Sequence, residues 1–231
     1  MADENSPSSN DRVNLVYETK VGDKSEQIEL PFKLLVLGDY TRDERSQYLE
    51  EQTPILLNAE SNNLEVLFKQ LKPDLKLKVV NKLEGDDSDL LFELSFNSLD
   101  DFTPSRIIEQ HSGLKKIVEF TDTLGKSTDT KTIDLSDGDK SLLESVLQVE
   151  NTSLAELQQS SESLGWLISS IESRLCEQLD EILHHPHFNA MESVWRALDF
   201  LIDRTDFTEN CEIAVLNVSK QALADDFEDM P

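Results

Sequence analysis

Apolar and polar positions alternate along much of the first third of the chain, and this pattern predicts β-strands. Residues 13–20, VNLVYETK, place apolar side chains at every second position of the first half of the run, which is the period of a strand with one buried face. Residues 32–37, FKLLVL, form a largely apolar run followed by Gly-Asp, and we expect a buried strand there. The runs 75–83 and 90–96 flank the turn sequence EGDDSD, so together they predict a hairpin.

Apolar positions spaced three and four residues apart predict helices between and after these strands. Residues 64–71 fit a short amphipathic helix, and residues 98–124 fit a helical region in two pieces. A longer helix is predicted over residues 161–183, where apolar side chains recur at helical spacing. Residues 211–218, CEIAVLNV, return to the pattern of a strand, and Ser219 is placed to cap a following helix.

These elements predict an α+β fold. We expect a mixed β-sheet with flanking helices in the first half, and a helical segment plus a strand in the second half. The polar sequence GKSTDTKTIDLSDGDK lies between the halves and is typical of a linker. The predicted organisation is a disordered leader, a first domain, a linker and a second region, over residues 1–11, 12–124, 125–140 and 141–231.

Composition and charge narrow the classes of partner. Apolar residues make up 38% of the chain, below the roughly 45–50% of a typical globular protein, which favours a core completed by a partner. The formal net charge of −26 disfavours binding to nucleic acid or to an anionic membrane. We recognise no signal peptide and no membrane span in the sequence. Two cysteines, Cys176 and Cys211, fit a reducing compartment, so we expect a cytoplasmic protein.

Three of the four histidines of the chain lie within residues 179–201, LDEILHHPHFNAMESVWRALDFL. A structural zinc ion needs four ligands in a tetrahedron, but Pro186 interrupts the helix between these histidines and no Cys-x-x-Cys pair is present. We therefore expect no metal there. The spacing favours a helix corner, in which His184 and His185 end one helix and Pro186 lies in the first turn of the next. Asn189 is an alternative start, since Glu192 follows it at capping-box spacing.

The helix after this corner carries apolar side chains on one face, and we interpret Phe188, Trp195 and Leu198 as packing anchors. No serine, cysteine or aspartate motif accompanies the histidines as a nucleophile or base would. The sequence LGDY has one glycine and not a phosphate-binding fingerprint. EGDDSD and DDFED lack the spacing of a calcium loop. We expect no catalytic, cofactor-binding or metal-binding residues, no cofactor, and no enzymatic activity.

The order of several motifs resembles two known families. RVNLVYETKVGDKSEQIELPFKLLVLGDYT, LKVVNKL, LLFELSFNSLDDFTP and GLKKIVEF follow one another over residues 12–124. They resemble the small sheath subunit of bacterial type VI secretion systems, the TssB/VipA family. SLLESVLQVENTSL and the run from SRLCEQLDEILHHPHF to the end resemble the N-terminal region of the large sheath subunit, the TssC/VipB family. The chain resembles a small subunit joined to the start of a large one.

The resemblance implies a structural component of a contractile sheath. In that family small and large sheath subunits interlock, assemble around the inner tube protein Hcp, and contract to propel the tube. The AAA+ unfoldase ClpV recognises a helix of the large subunit and disassembles the contracted sheath. The implied location is the bacterial cytoplasm, with no nucleic acid and no membrane as partner. A second hypothesis is a truncated sheath-derived adaptor or regulator that caps or modulates sheath assembly.

Two segments receive roles from this resemblance. The family uses a terminal strand to join neighbouring protomers, and this role falls on Val13, Asn14, Leu15, Val16, Tyr17, Glu18 and Thr19. The alternative is a strand that pairs inside its own domain. The unfoldase-docking helix falls on a short amphipathic segment beside the linker, with the anchors Leu142, Leu143, Val146 and Leu147.

Overall fold

A computed structural model of the chain describes residues 16–21, 24–57, 63–83, 88–126 and 161–229. The strands are β1 (Val16–Val21), β2 (Lys24–Glu29), β3 (Phe32–Gly38), β4 (Ile55–Leu57), β5 (Asp74–Val80), β6 (Asp89–Ser95) and β7 (Cys211–Asn217). The α-helices are α1 (Asn63–Leu71), α2 (Pro104–Gln110), α3 (Ser112–Lys126), α4 (Ser161–Leu183), α5 (Pro186–Asp203) and α6 (Lys220–Asp229). Short 3₁₀ turns cover Glu44–Ser46, Leu49–Glu51 and Leu99–Phe102.

A three-stranded mixed sheet joins the two halves of the chain. Its strand order is β3–β7–β4, with β7 parallel to β3 and antiparallel to β4. The register places Phe32 opposite Cys211 and Gly38 opposite Asn217 on one side, and Leu57 opposite Ile213 on the other. The central strand therefore comes from the second half, while both of its neighbours come from the first.

Two further sheets in the described residues are antiparallel hairpins. In one, β5 pairs with β6 from Asp74 opposite Ser95 to Val80 opposite Asp89. In the other, β1 pairs with β2 from Val16 opposite Glu29 to Val21 opposite Lys24. The alternating pattern of β5 buries one face and exposes the other, as its sequence predicts.

One hydrophobic core collects side chains from both halves. Helices α4 and α5 contribute apolar residues that pack with β5, β6 and α1 of the first half. The first half supplies aromatic and aliphatic side chains such as Phe68, Leu77 and Phe92, and the second half supplies Ile182, Trp195 and Ile213. Because the apolar faces of the two halves cover each other, neither half completes this core with its own residues.

The predicted α+β class is confirmed, as are the hairpin of β5 and β6, the helices around residues 64–71 and 161–183, and the strand at residues 211–218. Ser219 caps α6, since its Oγ accepts a hydrogen bond from the Ala222 N–H at 3.1 Å. Helix α3 continues to Lys126, and residues 127–160 lie outside the described ranges, so the domain boundaries remain a prediction. No helix in the described part of the chain is long and apolar enough to cross a membrane.

Residues 32–37 form the predicted strand, but the prediction that this strand is buried is wrong. The strand exists, but Leu35 is 53% exposed and Leu37 is 43% exposed. Leu34 and Val36 point to the opposite face and pack against the core. Alternate side chains of a strand point to opposite faces of the sheet, and the core covers one face of β3, so the continuous apolar run is half buried.

Candidate functional site

The candidate functional site is the junction between the two halves of the chain. We call the space between β3 and β4 the strand slot, and β7 fills it. Backbone hydrogen bonds continue past both ends of β7: the Phe32 N–H donates to the Asn210 carbonyl at 3.0 Å, and the Val218 N–H donates to the Gly38 carbonyl at 2.9 Å. The Ser219 N–H donates to the Ser46 carbonyl at 2.7 Å. The insertion is thus fixed at its start and at its end.

Trp195 of α5 is the largest side chain at this junction and is fully buried. Its ring stacks on Phe68 of α1 with a centroid separation of 3.8 Å and an interplanar angle of 11°. Its Nε1–H donates a hydrogen bond to the Tyr40 carbonyl at 3.1 Å. A buried indole needs such a partner for its N–H, so the second half is held to the first by both a ring face and a polar edge.

Asn217, the last residue of β7, makes two buried hydrogen bonds to the first half. Its Oδ1 accepts from the Tyr40 N–H at 2.9 Å, and its Nδ2 donates to the Thr41 Oγ1 at 3.0 Å. Asn217 is 4% exposed and Thr41 is 1% exposed. Buried polar groups stabilise a fold when they are paired and cost free energy when they are not, so this amide specifies where β7 stops against the loop after β3.

Tyr40 itself is buried under Trp195, with ring centroids 5.4 Å apart in an edge-to-face arrangement. Burial disfavours the charged phenolate and raises the pKa of Tyr40 to about 12. The ring also lies against the backbone at the end of β3, where a Cβ on Gly38 would be 2.8 Å from the Tyr40 Cζ. Glycine at this position therefore permits the close approach of ring and strand.

Gln178 of α4 links the helix to the end of β5. It is fully buried, its Oε1 accepts from the Lys82 N–H at 2.8 Å, and its Nε2 donates to the Val80 carbonyl at 3.1 Å. These two bonds satisfy backbone groups at the end of the hairpin ladder and just beyond it. The junction therefore has a second polar attachment, at the end of β5.

Phe188, Trp195 and Leu198, which the sequence suggests as packing anchors, all lie in the shared core with exposed fractions of 0%, 0% and 2%. Phe188 contacts Phe96 and Phe102 of the first half in edge-to-face arrangements, with centroids 6.1 and 5.7 Å apart. The structure brings Phe188 and Trp195 against aromatic residues of the first half.

The predicted helix corner is confirmed between α4 and α5. His185 is the N-cap of α5, its Nδ1 accepts from the His187 N–H at 3.2 Å, and Pro186 occupies the first helical turn. The alternative start at Asn189 is wrong, because the proline already fixes the backbone of the first turn. Burial is the main cause that lowers the pKa of His185, and electrostatic repulsion by the neighbouring His187 lowers it further. Within the described residues, no group of three or more His, Cys, Asp or Glu side chains could hold a metal ion.

The other predicted segments are placed only in part. Of Val13–Thr19, residues 13–15 lie outside the described ranges, and Val16–Thr19 belong to β1, which pairs with β2. The segment carrying Leu142, Leu143, Val146 and Leu147 also lies outside them. The inter-protomer and unfoldase-docking roles therefore remain predictions.

Sequence reasoning missed the polar contacts of the junction. Gln178 falls on the apolar stripe of α4 between Leu175 and Ile182, and a lone amide at a stripe position is a signal of a buried hydrogen-bonding role. Asn217 and Tyr40 carry no such signal, since Asn217 ends a strand and Tyr40 follows one, where turn residues are common. Their pairing depends on which strands meet, and neither local pattern contains that information.

Two family models match consecutive parts of the chain. Residues 5–162 match a type VI secretion system family described as VipA. The chain belongs to the VipA family of type VI secretion proteins. Residues 166–231 match the VipB family, described as a tail sheath N-terminal domain. The VipA match covers β3 and β4, while the VipB match covers β7, so the strand slot is built by one family's segment and filled by the other's.

Two curated sheath proteins are each similar to part of the chain. The type VI secretion system sheath protein TssB1 of Pseudomonas aeruginosa is 25% identical over 108 residues, which is 47% of this chain and 62% of TssB1. The sheath protein TssC1 of the same organism is 38% identical over 61 residues, which is 26% of this chain and 12% of TssC1. The VipA-family chain thus spans less than two thirds of the length of each relative.

Proposed function

We propose that this chain is a structural, non-enzymatic component of the contractile sheath of a type VI secretion system, working in the cytoplasm of the bacterium. One observation carries the proposal: the strand from the VipB-matching segment is inserted between two strands of the VipA-matching segment. Such interleaving gives the two segments a common sheet and a common core. An arrangement of this kind suits a machine that changes the packing between subunits and keeps each subunit rigid.

In this role the chain assembles with small and large sheath subunits around the inner tube protein Hcp, and contraction propels the tube. The curated relatives support the sheath assignment by their names, since both are called sheath proteins. The net charge of −26 disfavours nucleic acid as a competing partner, because both molecules are acidic.

Electron microscopy tests the proposal. The chain, carrying an affinity tag, is expressed with full-length small and large sheath subunits and with Hcp, and tubes are examined with a gold label against the tag. We expect tubes labelled along their length. Tubes without label, or an absence of tubes when the untagged natural small subunit supports them, would contradict the sheath role.

The strand β1 is our candidate for a link between protomers. In the described residues β1 pairs with β2 on one edge, so its other edge is available for pairing with a strand of a neighbouring protomer. Insertion of three residues after Lys20 is expected to permit assembly and to block contraction. The same insertion after Asn10, ahead of the predicted strand, is the matched control. Normal contraction with the Lys20 insertion would remove the linking role.

The segment with Leu142, Leu143, Val146 and Leu147 is our candidate for docking to ClpV. Apolar anchors at this spacing fit a helix that binds in a groove. Replacing Leu143 and Leu147 by aspartate is expected to abolish binding to ClpV in a pull-down, since charged side chains do not enter an apolar groove. Gln148→Asp in the same segment is the control. Undiminished binding by the double variant would exclude this role.

The strand slot also favours a second candidate function, a sheath-derived regulator. A chain whose slot is already filled can enter a growing sheath and then fail to continue it. In the microscopy experiment this function predicts label at tube ends and shorter tubes as the amount of chain rises. Label along the length distinguishes the structural component from the regulator.

A further inference from the structure

The strand slot and its occupant belong to one polypeptide, and this has a consequence for binding other chains. We define the donor segment as residues 161–229, which contains α4, α5, β7 and α6. We propose that the donor segment fills the strand slot within the same chain and thereby excludes the equivalent segment of a second copy or of a separate large sheath subunit. This inference requires the fold and the two family matches, and it does not rest on the proposed sheath function.

The first argument is the pairing of β7 on both of its edges. On one side β7 pairs with β3 from Phe32 opposite Cys211 to Gly38 opposite Asn217, and on the other it pairs with β4 from Ile55 opposite Val215 to Leu57 opposite Ile213. A competing strand needs those same backbone groups of β3 and β4. Two strands cannot occupy one position in a ladder, so binding of a second donor requires complete removal of the first.

The second argument is that the strand does not leave alone. Ile213 and Val215 of β7 are each 1% exposed, and Trp195 of the preceding helix is fully buried against Phe68. Gln178 holds α4 to the end of β5 by two hydrogen bonds. A competitor that replaced β7 would have to displace helices as well, or else leave these apolar and polar groups exposed.

The third argument is concentration. Two groups joined in one polypeptide meet at an effective concentration on the order of 1 mM. A competitor supplied from solution at about 10 µM is then disfavoured by a factor of about 100. TssB1 and TssC1 are separate proteins, whereas here the matching segments are joined, so this chain needs no second polypeptide to fill its slot.

An exchange experiment with the full chain tests the inference. A recognition sequence for a site-specific protease is inserted after Asp139, within the predicted linker, so that the chain can be cut there after purification. Isotope-labelled, untagged, cut chain is the donor, and tagged chain is the acceptor, either intact or cut. Donor and acceptor are mixed at equal concentrations of about 10 µM, unfolded in urea and refolded together, and the tagged protein is recovered for mass spectrometry.

We expect the cut acceptor to recover with about half of its donor segment labelled, since the two pools are equal. We expect only about 1% of the intact acceptor to carry label, which is about 50-fold less, because its own segment is favoured for the slot by a factor of about 100. Equal labelling of the intact and cut acceptors would overturn the inference. Separation of the two pieces of the cut chain in native buffer would also overturn it, since the slot would then not hold its occupant.

A variant of the intact acceptor sharpens the test. Trp195→Ala removes the indole that anchors the donor segment, and it is expected to raise capture of the labelled wild-type segment at least several-fold. Trp166→Ala, on the same segment but at a side chain that is 45% exposed, is the matched control and should capture no more than the parent. Equal capture by the two variants would contradict the assignment of the slot as the exchanging site. Failure to form tubes in the microscopy experiment would leave these outcomes unchanged.

Discussion

The hairpin of β5 and β6 and the sheet that contains the strand slot differ in how far apart their paired strands lie in the sequence. In the hairpin the partners are neighbours in sequence, and Leu77 and Phe92 pair directly across it, both fully buried. In the other sheet the partners are far apart, as Tyr40 and Asn217 are 177 residues apart. The hairpin forms once a short turn brings its two strands together. The sheet of β3 and β4 is complete only when β7, from the second half of the chain, inserts between them. The second sheet therefore depends on both halves being present.

The largest effect expected on this contrast comes from Trp195→Ala. Truncation of a fully buried indole costs about 3–5 kcal/mol of unfolding free energy, and it also removes the donor to the Tyr40 carbonyl. The free energy is measured by urea unfolding followed by circular dichroism, with Trp166→Ala expected to stay within about 0.5 kcal/mol of the parent. Hydrogen exchange should show β7 amides losing more protection than β6 amides. Equal losses would mean that the two sheets unfold as one unit.

A pH dependence centred on Tyr40 is the next largest effect. The ordinary pKa of a tyrosine is 10.0, and burial raises that of Tyr40 to about 12. The folded state therefore keeps a proton that the unfolded state releases first, so this contribution to stability is complete below pH 10 and is lost as the pH rises towards 12. The shift corresponds to roughly 2–3 kcal/mol.

Urea unfolding at pH 8 and pH 10.5 checks this prediction. Tyr40→Phe should lose less stability over that interval than the parent, because it has no phenol to ionise. Tyr48→Phe is the control, since Tyr48 is 59% exposed. A parent and a Tyr40→Phe variant with the same pH dependence would show that the phenol is not held away from water at the end of β3.

Smaller changes in stability, of opposite sign, are expected from replacing two glycines by alanine. Gly38→Ala places a Cβ 2.8 Å from the Tyr40 ring, and overpacking of this kind costs about 1–3 kcal/mol. Gly165→Ala lies on α4, where an added Cβ meets nothing within 4 Å, and it should stabilise the chain by about 0.5–1 kcal/mol through helix propensity. Thermal unfolding of the two variants measures both signs. Stabilisation by Gly38→Ala would show that the Tyr40 ring moves aside freely.

The smallest effects are expected from two surface ion pairs that form a matched comparison. Lys33 and Glu212 bridge β3 and β7, while Lys76 and Glu93 bridge β5 and β6, and in each pair Nζ lies 2.9 Å from a carboxylate oxygen. Exposed pairs contribute little because water and salt screen them. Lys33→Ala and Lys76→Ala should therefore give indistinguishable urea midpoints. A clear loss for Lys33→Ala alone would mean that charge helps to seat β7.

The sequence was sufficient for the elements whose partners are close by. The hairpin of β5 and β6 and the corner at Pro186 are local, so alternation, turn residues and cap residues specify them. The insertion of β7 is not local. The hydrophobic pattern of β7 predicts a strand, but it does not identify β3 and β4 as the strands that pair with it. The same reason explains the half-exposed β3, since an apolar run does not reveal that a core will cover one of its two faces.

The site residues divide in the same way. The apolar spacing of the helix after the corner was enough to select Phe188, Trp195 and Leu198, because burial follows periodicity. The hydrogen bonds of Asn217 and Gln178 required knowledge of the tertiary fold. The roles suggested for Val13–Thr19 and for Leu142–Leu147 concern contacts with other chains, which the pattern of one chain does not specify.

The sequence separation between Tyr40 and Asn217 also determines how long β3 exists before β7 is synthesised. A ribosome that adds roughly 5–20 residues per second takes on the order of 10–35 s to translate the 177 positions between them. For most of that interval β3 has left the ribosome and β7 has not been made, so the backbone edge of β3 that pairs with β7 is exposed. A nascent chain in this state is a substrate for cellular chaperones. Translation speed and chaperone supply should therefore govern the yield of this protein more than that of a chain whose strands are all neighbours.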